Sequence, residues 1–190
     1  MRTLPLQVTL GLFLASTAVA AQSARTDTAR RAGLIGDLQE QVAQAETKIL
    51  GLARAFPDSS YHWRPAAGVR STHEVFVHIA GENYYAAAKW GGRTANESGV
   101  TGVGHTEVEE YERRPHARGE VLVALEQAFA LIRASLAALP DSGLDAMTEY
   151  SRRPVSVRTA WVRTTTHLHE HLGQLIAYAR ANGVVPPWSR

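Results

Sequence analysis

The sequence predicts an all-α fold, a four-helix bundle, on the basis of three observations. Four stretches of the 190-residue chain carry apolar residues at steps of three and four, the spacing of a helix with one buried face. No segment alternates apolar and polar residues as a half-buried strand would. The composition, 45% hydrophobic and 20% charged, is that of an ordinary globular domain. Four amphipathic helices without strands are typical of a helical bundle.

The first 20 residues are predicted to be a cleavable signal peptide ahead of the domain, which spans residues 21–190. Arg2 precedes an apolar stretch that ends in the small residues Ala18, Val19 and Ala20, the layout of a secretory signal. A membrane anchor is the alternative, but the interrupted apolar run is short for a hydrocarbon core of about 30 Å. We therefore expect cleavage near Ala20, export to the periplasm or the medium, and no stable membrane insertion afterwards.

The first two helices follow from apolar spacing and a capping signal. The first helix is predicted over about residues 29–55 and is ended by Pro57. Its apolar stripe comprises Leu38, Val42, Ala45, Ile49, Leu52 and Phe56. Ser71 lies three residues before Glu74, which predicts a capping box and a second helix that ends near Trp90.

The second half of the chain predicts a loop and two further helices. Residues 91–116 are rich in Gly, Thr and Glu and predict a long loop with one helical turn near residues 108–111. A third helix is predicted from about residue 118 to 139. The fourth runs from about residue 157 to 181, with Ser156 as its N-cap.

Composition excludes several classes of function. The chain has no cysteine, which removes thiol nucleophiles and thiolate metal sites, so a metal must be bound by His, Asp or Glu. Its 20 basic and 18 acidic residues nearly cancel, and the arginines are scattered, so nucleic acid is not an expected partner. No Gly-x-Ser-x-Gly motif supports a serine hydrolase.

A histidine pair on the fourth helix is the first candidate for chemistry. His167 and His171 lie about 40° apart around a helix, one turn apart along it. They share their face with the residues expected to point inward, namely Thr164, Leu168, Leu175 and Tyr178. Such a pair can hold a divalent ion, since neutral imidazole suits zinc, nickel, iron or copper. Two core histidines hydrogen-bonded to their neighbours are an equally consistent interpretation of the pair alone, and His169 is expected to face water.

The second helix offers a third histidine and an acid. His78 lies beside the apolar arc of this helix, and Glu82 follows one turn later, about 40° around. A single histidine on an apolar arc is usually structural, so His78 gains importance only if it faces the pair on the fourth helix. Glu82 is our candidate for orienting a ligand or transferring a proton, and His73 is expected to be exposed.

Several motifs together resemble the DinB-like (DinB/YfiT) superfamily of metalloenzymes, over essentially all of the mature sequence. The matching pieces are Trp63-Arg64-Pro65 with Gly68 and Ser71, Val77-His78-Ile79-Ala80, His167-x-x-x-His171-x-Gly173-Gln174-Leu175, and the tail Ala179-Arg180-Ala181-Asn182-Gly183 followed by Pro186-Pro187. The resemblance implies an antiparallel four-helix bundle with His78, His167 and His171 as the metal triad. Relatives often form dimers, so a homodimer is one expected state.

A triad of histidines indicates a catalytic metal rather than a purely structural one. Three protein ligands leave a position for water, and a metal such as zinc lowers the pKa of that water to about 7. We therefore expect a zinc- or nickel-dependent hydrolase that uses metal-activated water on an unknown small molecule. Gln174 and Tyr178, on the face of His171, are candidates for contacts to the ligands or the substrate, with ordinary packing as the alternative.

Two other functions stay open. Some relatives are thiol-dependent S-transferases that use bacillithiol or mycothiol, for which Arg64 and Arg70 are the nearest candidate anion contacts. Those thiols are cytoplasmic, so the predicted export weakens this alternative. The other alternative is a non-catalytic protein that only binds a metal or a ligand.

Some features are interpreted as surface structure. Residues 99–106 imitate a phosphate loop, but His105 stands where a lysine is required and no strand precedes it, so we expect a flexible loop. His62, His105 and His116 have no partner at helical spacing and are expected at the surface. A cluster of acidic residues is interpreted as a solvated face: Glu107, Glu109, Glu110 and Glu112.

Overall fold

The computed structural model describes residues 33–189. Four long helices make up most of this part of the chain. They are α1 Leu34–Ala55, α3 Thr72–Gly91, α5 Arg118–Ala138 and α6 Val157–Ala181, with the short helices α2 Asp58–Tyr61 and α4 Thr106–Arg113 between them. α1 and α3 each pack against both α5 and α6 around buried apolar side chains. The mostly helical fold is thereby confirmed. The predicted signal peptide at residues 1–20 and the first part of the first predicted helix, residues 29–32, lie outside the described residues.

The predicted apolar stripe of the first helix is the buried face of α1, and α5 also buries an apolar face. Every member of the α1 stripe, from Leu38 to Phe56, is at most 5% exposed. On α5, Leu125, Phe129, Ile132 and Leu136 are fully buried. By length and composition α5 is the one described helix that could cross a membrane. Its apolar face packs against α1 and α3 instead, as in the core helix of a globular protein.

The capping box at the start of α3 forms as predicted. The backbone N–H of Ser71 donates to Oε2 of Glu74 at 2.6 Å, and the backbone N–H of Glu74 donates to Oγ of Ser71 at 3.2 Å. The helix ends at Gly91 and is capped by Gly92, whose φ of 62° is left-handed. These ends fix the register of α3, so that His78 lies on its buried face.

The segment between α3 and α5 has more structure than the predicted loop. α4 spans two turns rather than one, and the carboxylate of Glu107 accepts hydrogen bonds from the backbone N–H groups of Thr101 and Gly102 at 2.8 and 2.9 Å. Gly102 has φ 80°, and a Cβ there would lie 2.6 Å from the backbone nitrogen of Lys89. The loop is therefore held against the end of α3, and Glu107 is not part of a solvated face.

A short antiparallel hairpin precedes α6, so the expectation of no strands was wrong. β1 Met147–Tyr150 pairs with β2 Arg153–Ser156, and the turn residues Ser151 and Arg152 have φ of 50° and 62°. Trp90 of α3 stacks on Tyr150 at 5.5 Å between ring centroids, which holds the hairpin beside α3. The sequence pattern does not indicate it, because the strands are four residues long, expose half of their residues and lack a glycine in the turn.

Candidate metal centre

Three histidines from two helices meet at one point of the core. His78 comes from α3, and His167 and His171 come from consecutive turns of α6. Nε2 of His167 lies 3.0 Å from Nε2 of His78 and 3.0 Å from Nε2 of His171. In the described chain this is the one group of three or more candidate ligand side chains whose ligand atoms all lie within 4.8 Å of one another. The expected convergence of His78 on the α6 pair is thus present.

The hydrogen bonds of the other ring nitrogens determine where the protons lie. Nδ1 of His78 is 2.6 Å from Oε1 of Glu112, and Nδ1 of His171 is 2.8 Å from Oε1 of Gln174. Both oxygens accept, so each Nδ1 carries the proton and, in a neutral ring, each Nε2 presents a lone pair. A proton on Nε2 of His167 can be donated to only one of these two Nε2 lone pairs. Three neutral rings therefore cannot satisfy both 3.0 Å contacts with protons, whereas a cation between the three nitrogens would.

Burial favours the neutral rings that metal ligation requires. Burial, with the neighbouring His171, lowers the pKa of His167 to about 4. Burial also lowers the pKa of His171, against a smaller raising effect of its bond to Gln174. These two rings are consequently neutral at pH 7 and can use their lone pairs as ligands.

Glu112 holds the His78 ring, a role that sequence reasoning missed. Its Oε2 also accepts from Arg70 at 3.2 Å. Burial would raise the pKa of Glu112, but the hydrogen bond from His78 and the charge of Arg70 outweigh burial, so its pKa is lowered. The solvated-face interpretation is wrong for Glu112 and holds for Glu109 and Glu110, which are exposed. The spacing of Val108 and Tyr111 indicates one helical turn in the sequence, but two apolar residues are too few to predict which way Glu112 faces.

Gln174 and Tyr178 lie where the spacing on α6 placed them. Gln174 accepts from His171 and donates through Nε2 to the hydroxyl oxygen of Tyr178 at 2.9 Å. The Tyr178 hydroxyl in turn donates to the backbone carbonyl oxygen of Arg70 at 3.0 Å. The two chains of contacts, through Glu112 and through Gln174, therefore both reach Arg70 in the segment before α3.

Glu82 does not join the histidine cluster; it pairs with His105. Oε1 of Glu82 is 2.6 Å from Nε2 of His105. Burial raises the pKa of Glu82, but this hydrogen bond and the charge of His105 outweigh burial and leave the pKa lowered. His105 is exposed, as predicted. Its partner Glu82 lies 23 residues away on another element, so spacing along one helix does not reveal the pair.

The remaining histidines lie outside the cluster. His62 is exposed, as predicted. His73 was expected to be exposed but is half-buried, with Nε2 3.0 Å from the carbonyl oxygen of His116. His116 was expected at the surface and is also half-buried, with Nε2 2.8 Å from the carbonyl oxygen of Tyr111. His169 is half-buried rather than turned to water, and its Nδ1 lies 2.9 Å from the carbonyl oxygen of Thr165.

Two cavities border this region of the fold. One of about 570 Å³, here called the His167 cavity, is lined by His167, Glu82 and His105. Its aromatic lining is formed by Tyr85, Trp90 and Tyr150. The other, of about 450 Å³ and here called the Arg70 cleft, is lined by Arg64, Arg70, Arg113 and Glu112, among others. A small molecule in the His167 cavity would contact one of the three clustered histidines directly.

Comparison with known proteins agrees on one family. A family model described as the DinB superfamily matches residues 41–175. A crystal structure of a DinB-like protein from Bacillus subtilis superposes with a TM-score of 0.61 at 18% identity, over 81% of this chain and 97% of that one. A DinB-like protein from Bacillus cereus gives a TM-score of 0.65 at 15% identity, over 79% and 93%. Among curated proteins, none matches.

Proposed function

Since this chain belongs to the DinB superfamily, we propose that its long helices form a four-helix bundle of the DinB/YfiT type with one divalent metal ion bound by His78, His167 and His171. The packing of α1 and α3 against both α5 and α6 supports the bundle. The single observation that carries the metal is the convergence of three Nε2 atoms whose contacts three neutral rings cannot satisfy with protons.

The donor set fits zinc or nickel. Zinc–nitrogen bonds of about 2.0–2.1 Å in a tetrahedral site place the ligand nitrogens about 3.3 Å apart. Two of the three Nε2 separations, both from His167, are 3.0 Å and close to this value. All three candidate ligand atoms lie within 4.8 Å of one another. Glu112 and Gln174 already fix two rings through Nδ1, as carboxylates and amides do around metal-ligating histidines.

We further propose that the protein is a metal-dependent hydrolase of a small molecule. A bound divalent ion supplies a Lewis acid that lowers the pKa of water to about 7. Three protein ligands leave a position for that water, and the His167 cavity provides space for a substrate beside it. Its aromatic lining would bind the apolar part of the substrate and exclude bulk water from the reacting bond. The N-terminal segment, residues 1–20, supports export of this enzyme to the periplasm or the medium.

The alternative of a thiol-dependent S-transferase has weaker support. The Arg70 cleft offers the arginines Arg64, Arg70 and Arg113 to the carboxylates of a thiol cofactor, but it is lined by three glutamates as well. However, Arg64 and Arg70 are already paired with Glu74 and Glu112 at 2.9 and 3.2 Å. A cofactor would have to displace those carboxylates, which makes the cleft a poorer anion site than its arginines suggest.

Elemental analysis of the mature protein tests the metal site. We expect one zinc or nickel per chain in the parent and loss of the metal in His78→Ala and His171→Ala, because each change removes one of three ligands. His169→Ala is the matched control, since His169 lies on the same helix outside the cluster, and it should keep the metal. Equal trace metal in all four proteins would contradict the site.

The hydrolase is tested with p-nitrophenyl acetate. We expect hydrolysis that is lost on chelation, restored by zinc, and absent in His171→Ala. Stoichiometric metal without metal-dependent hydrolysis of this or other simple esters would contradict the hydrolase and favour the non-catalytic alternative.

A further inference from the structure

The Glu82–His105 pair has features that an ordinary surface ion pair lacks. The Glu82 side chain is only 19% exposed, whereas the His105 side chain is 56% exposed. The buried partner therefore anchors the exposed one. The ring of His105 is also packed against Tyr85, with 5.6 Å between the ring centroids.

The hydrogen bond to Glu82 fixes the tautomer of His105. A carboxylate can only accept, so Nε2 carries the proton and, in the neutral ring, Nδ1 carries the lone pair. In residues 33–189, no hydrogen bond is made by Nδ1 of His105. A carboxylate that holds one imidazole nitrogen and leaves the other nitrogen available is the arrangement of a general base or acid.

The position of His105 is held from both sides. It immediately precedes α4, and Glu107 in the first turn of that helix binds the backbone of Thr101 and Gly102. The loop that precedes His105 is therefore held by hydrogen bonds to α4, and the ring of His105 is held by its hydrogen bond to Glu82. Such support is needed if a proton-transfer group is to keep its distance from a substrate.

His105 and His167 line the same cavity, so the pair and the candidate metal centre open onto one space. Other charged groups that act on His105 are Glu109 and Glu112, both acidic. The hydrogen bond with Glu82 is the largest effect on the pKa of His105 and raises it, against the lowering effect of burial. The ring is therefore able to accept a proton and return it near neutral pH.

We propose that His105 is the catalytic proton-transfer residue of this site and that Glu82 is its positioning residue, an inference that rests on the proposed hydrolase. The oxygen of water bonds to the carbonyl carbon of an ester or amide while its proton moves to Nδ1 of His105. The bond from the carbonyl carbon to the leaving group then breaks, and His105 returns the proton to the leaving oxygen or nitrogen. One water is consumed and an acid and an alcohol or amine are formed, so no oxidant or reductant is needed.

Two esters with different leaving groups test the proton transfer in zinc-loaded protein. Phenyl acetate has the poorer leaving group and needs its protonation more than p-nitrophenyl acetate does. We expect His105→Gln to slow phenyl acetate hydrolysis about 100-fold and p-nitrophenyl acetate hydrolysis much less. Glu82→Ala should change the two rates in the same pattern. His62→Gln, an exposed histidine outside the cavity, should change neither.

A second measurement does not depend on activity. In metal-free protein with ¹⁵N-labelled histidine, at a pH where the ring is neutral, we expect His105 to be protonated on Nε2 and to lose this preference in Glu82→Ala. Equal slowing of both esters in His105→Gln, or a ring protonated on Nδ1, would overturn the proton-transfer role while metal-dependent hydrolysis stands. Absence of metal-dependent hydrolysis in the parent would overturn the proposed hydrolase, and this role with it.

Discussion

Glu112 and Glu82 are two partly buried carboxylates near the same histidine cluster, and each binds a histidine at 2.6 Å. Glu112 binds a ring of the cluster itself and also pairs with Arg70. Glu82 binds a ring that belongs to no cluster and that faces the His167 cavity. The same pair of residue types therefore supports a candidate ligand in one place and holds a ring that lines a cavity in the other. The second ring nitrogen of His78 contacts another histidine, whereas that of His105 makes no hydrogen bond within residues 33–189.

Removal of each carboxylate in turn tests this difference most directly. Glu112→Ala leaves Nδ1 of His78 without its acceptor, so the ring loses its orientation, and we expect the affinity for zinc to fall about 10- to 100-fold. Glu82→Ala is the matched variant, and its zinc affinity should stay close to that of the parent, since within residues 33–189 the hydrogen bond of Glu82 goes to His105 and not to a ring of the cluster. Competition with a chromophoric chelator measures both values.

Equal losses of zinc affinity in the two variants would contradict the division of roles. Such a result would show that Glu82 supports the metal site rather than the His105 ring in the cavity. A loss in Glu82→Ala alone would reverse the assignment.

The pH dependence of stability in metal-free protein distinguishes His167 of the cluster from His105 of the cavity. The pKa of His167 is about 4 in the folded chain, below its ordinary value of about 6.5, so the unfolded chain binds more protons between these values. The free energy of unfolding should therefore fall as the pH is lowered through that window. The raised pKa of His105 acts with the opposite sign.

Urea unfolding at several pH values between about 4 and 8 measures both effects. His167→Gln removes the ring that titrates between about 4 and 6.5, so its curve should be flatter than that of the parent there. His105→Gln should change the slope only above about 6.5, where the folded chain keeps a proton that the unfolded chain releases. Below about 6.5 the His105→Gln curve therefore serves as the control for His167→Gln. Parallel curves for all variants would show that neither ring titrates as its surroundings indicate.

The same contrast separates what the sequence can predict from what it cannot. His167 and His171 follow from an interval of four on an inward helix face, and His78 from a family pattern on a capped helix, so regular helices brought the triad within reach of sequence analysis. Glu112 and His105 lie on or beside an eight-residue helix after an irregular loop. No period extends far enough there to assign a face, and their partners are distant along the chain. The hairpin at residues 147–156 was not predicted for the same reason, since half-exposed strands of four residues carry too little alternation of apolar and polar residues.

The smallest expected effect concerns the outer end of the support for His171. Tyr178→Phe removes the hydroxyl that accepts from Gln174 and donates to the carbonyl oxygen of Arg70. We expect a loss of about 1 kcal/mol in the free energy of unfolding and only a few-fold loss of zinc affinity, because the Gln174 bond to His171 is kept. Tyr150→Phe is the matched variant in the His167 cavity and should leave zinc affinity unchanged. If Tyr150→Phe weakened zinc as much as Tyr178→Phe does, the cavity and the ligand support would be one coupled unit, and the contrast between Glu112 and Glu82 would no longer describe two separate roles.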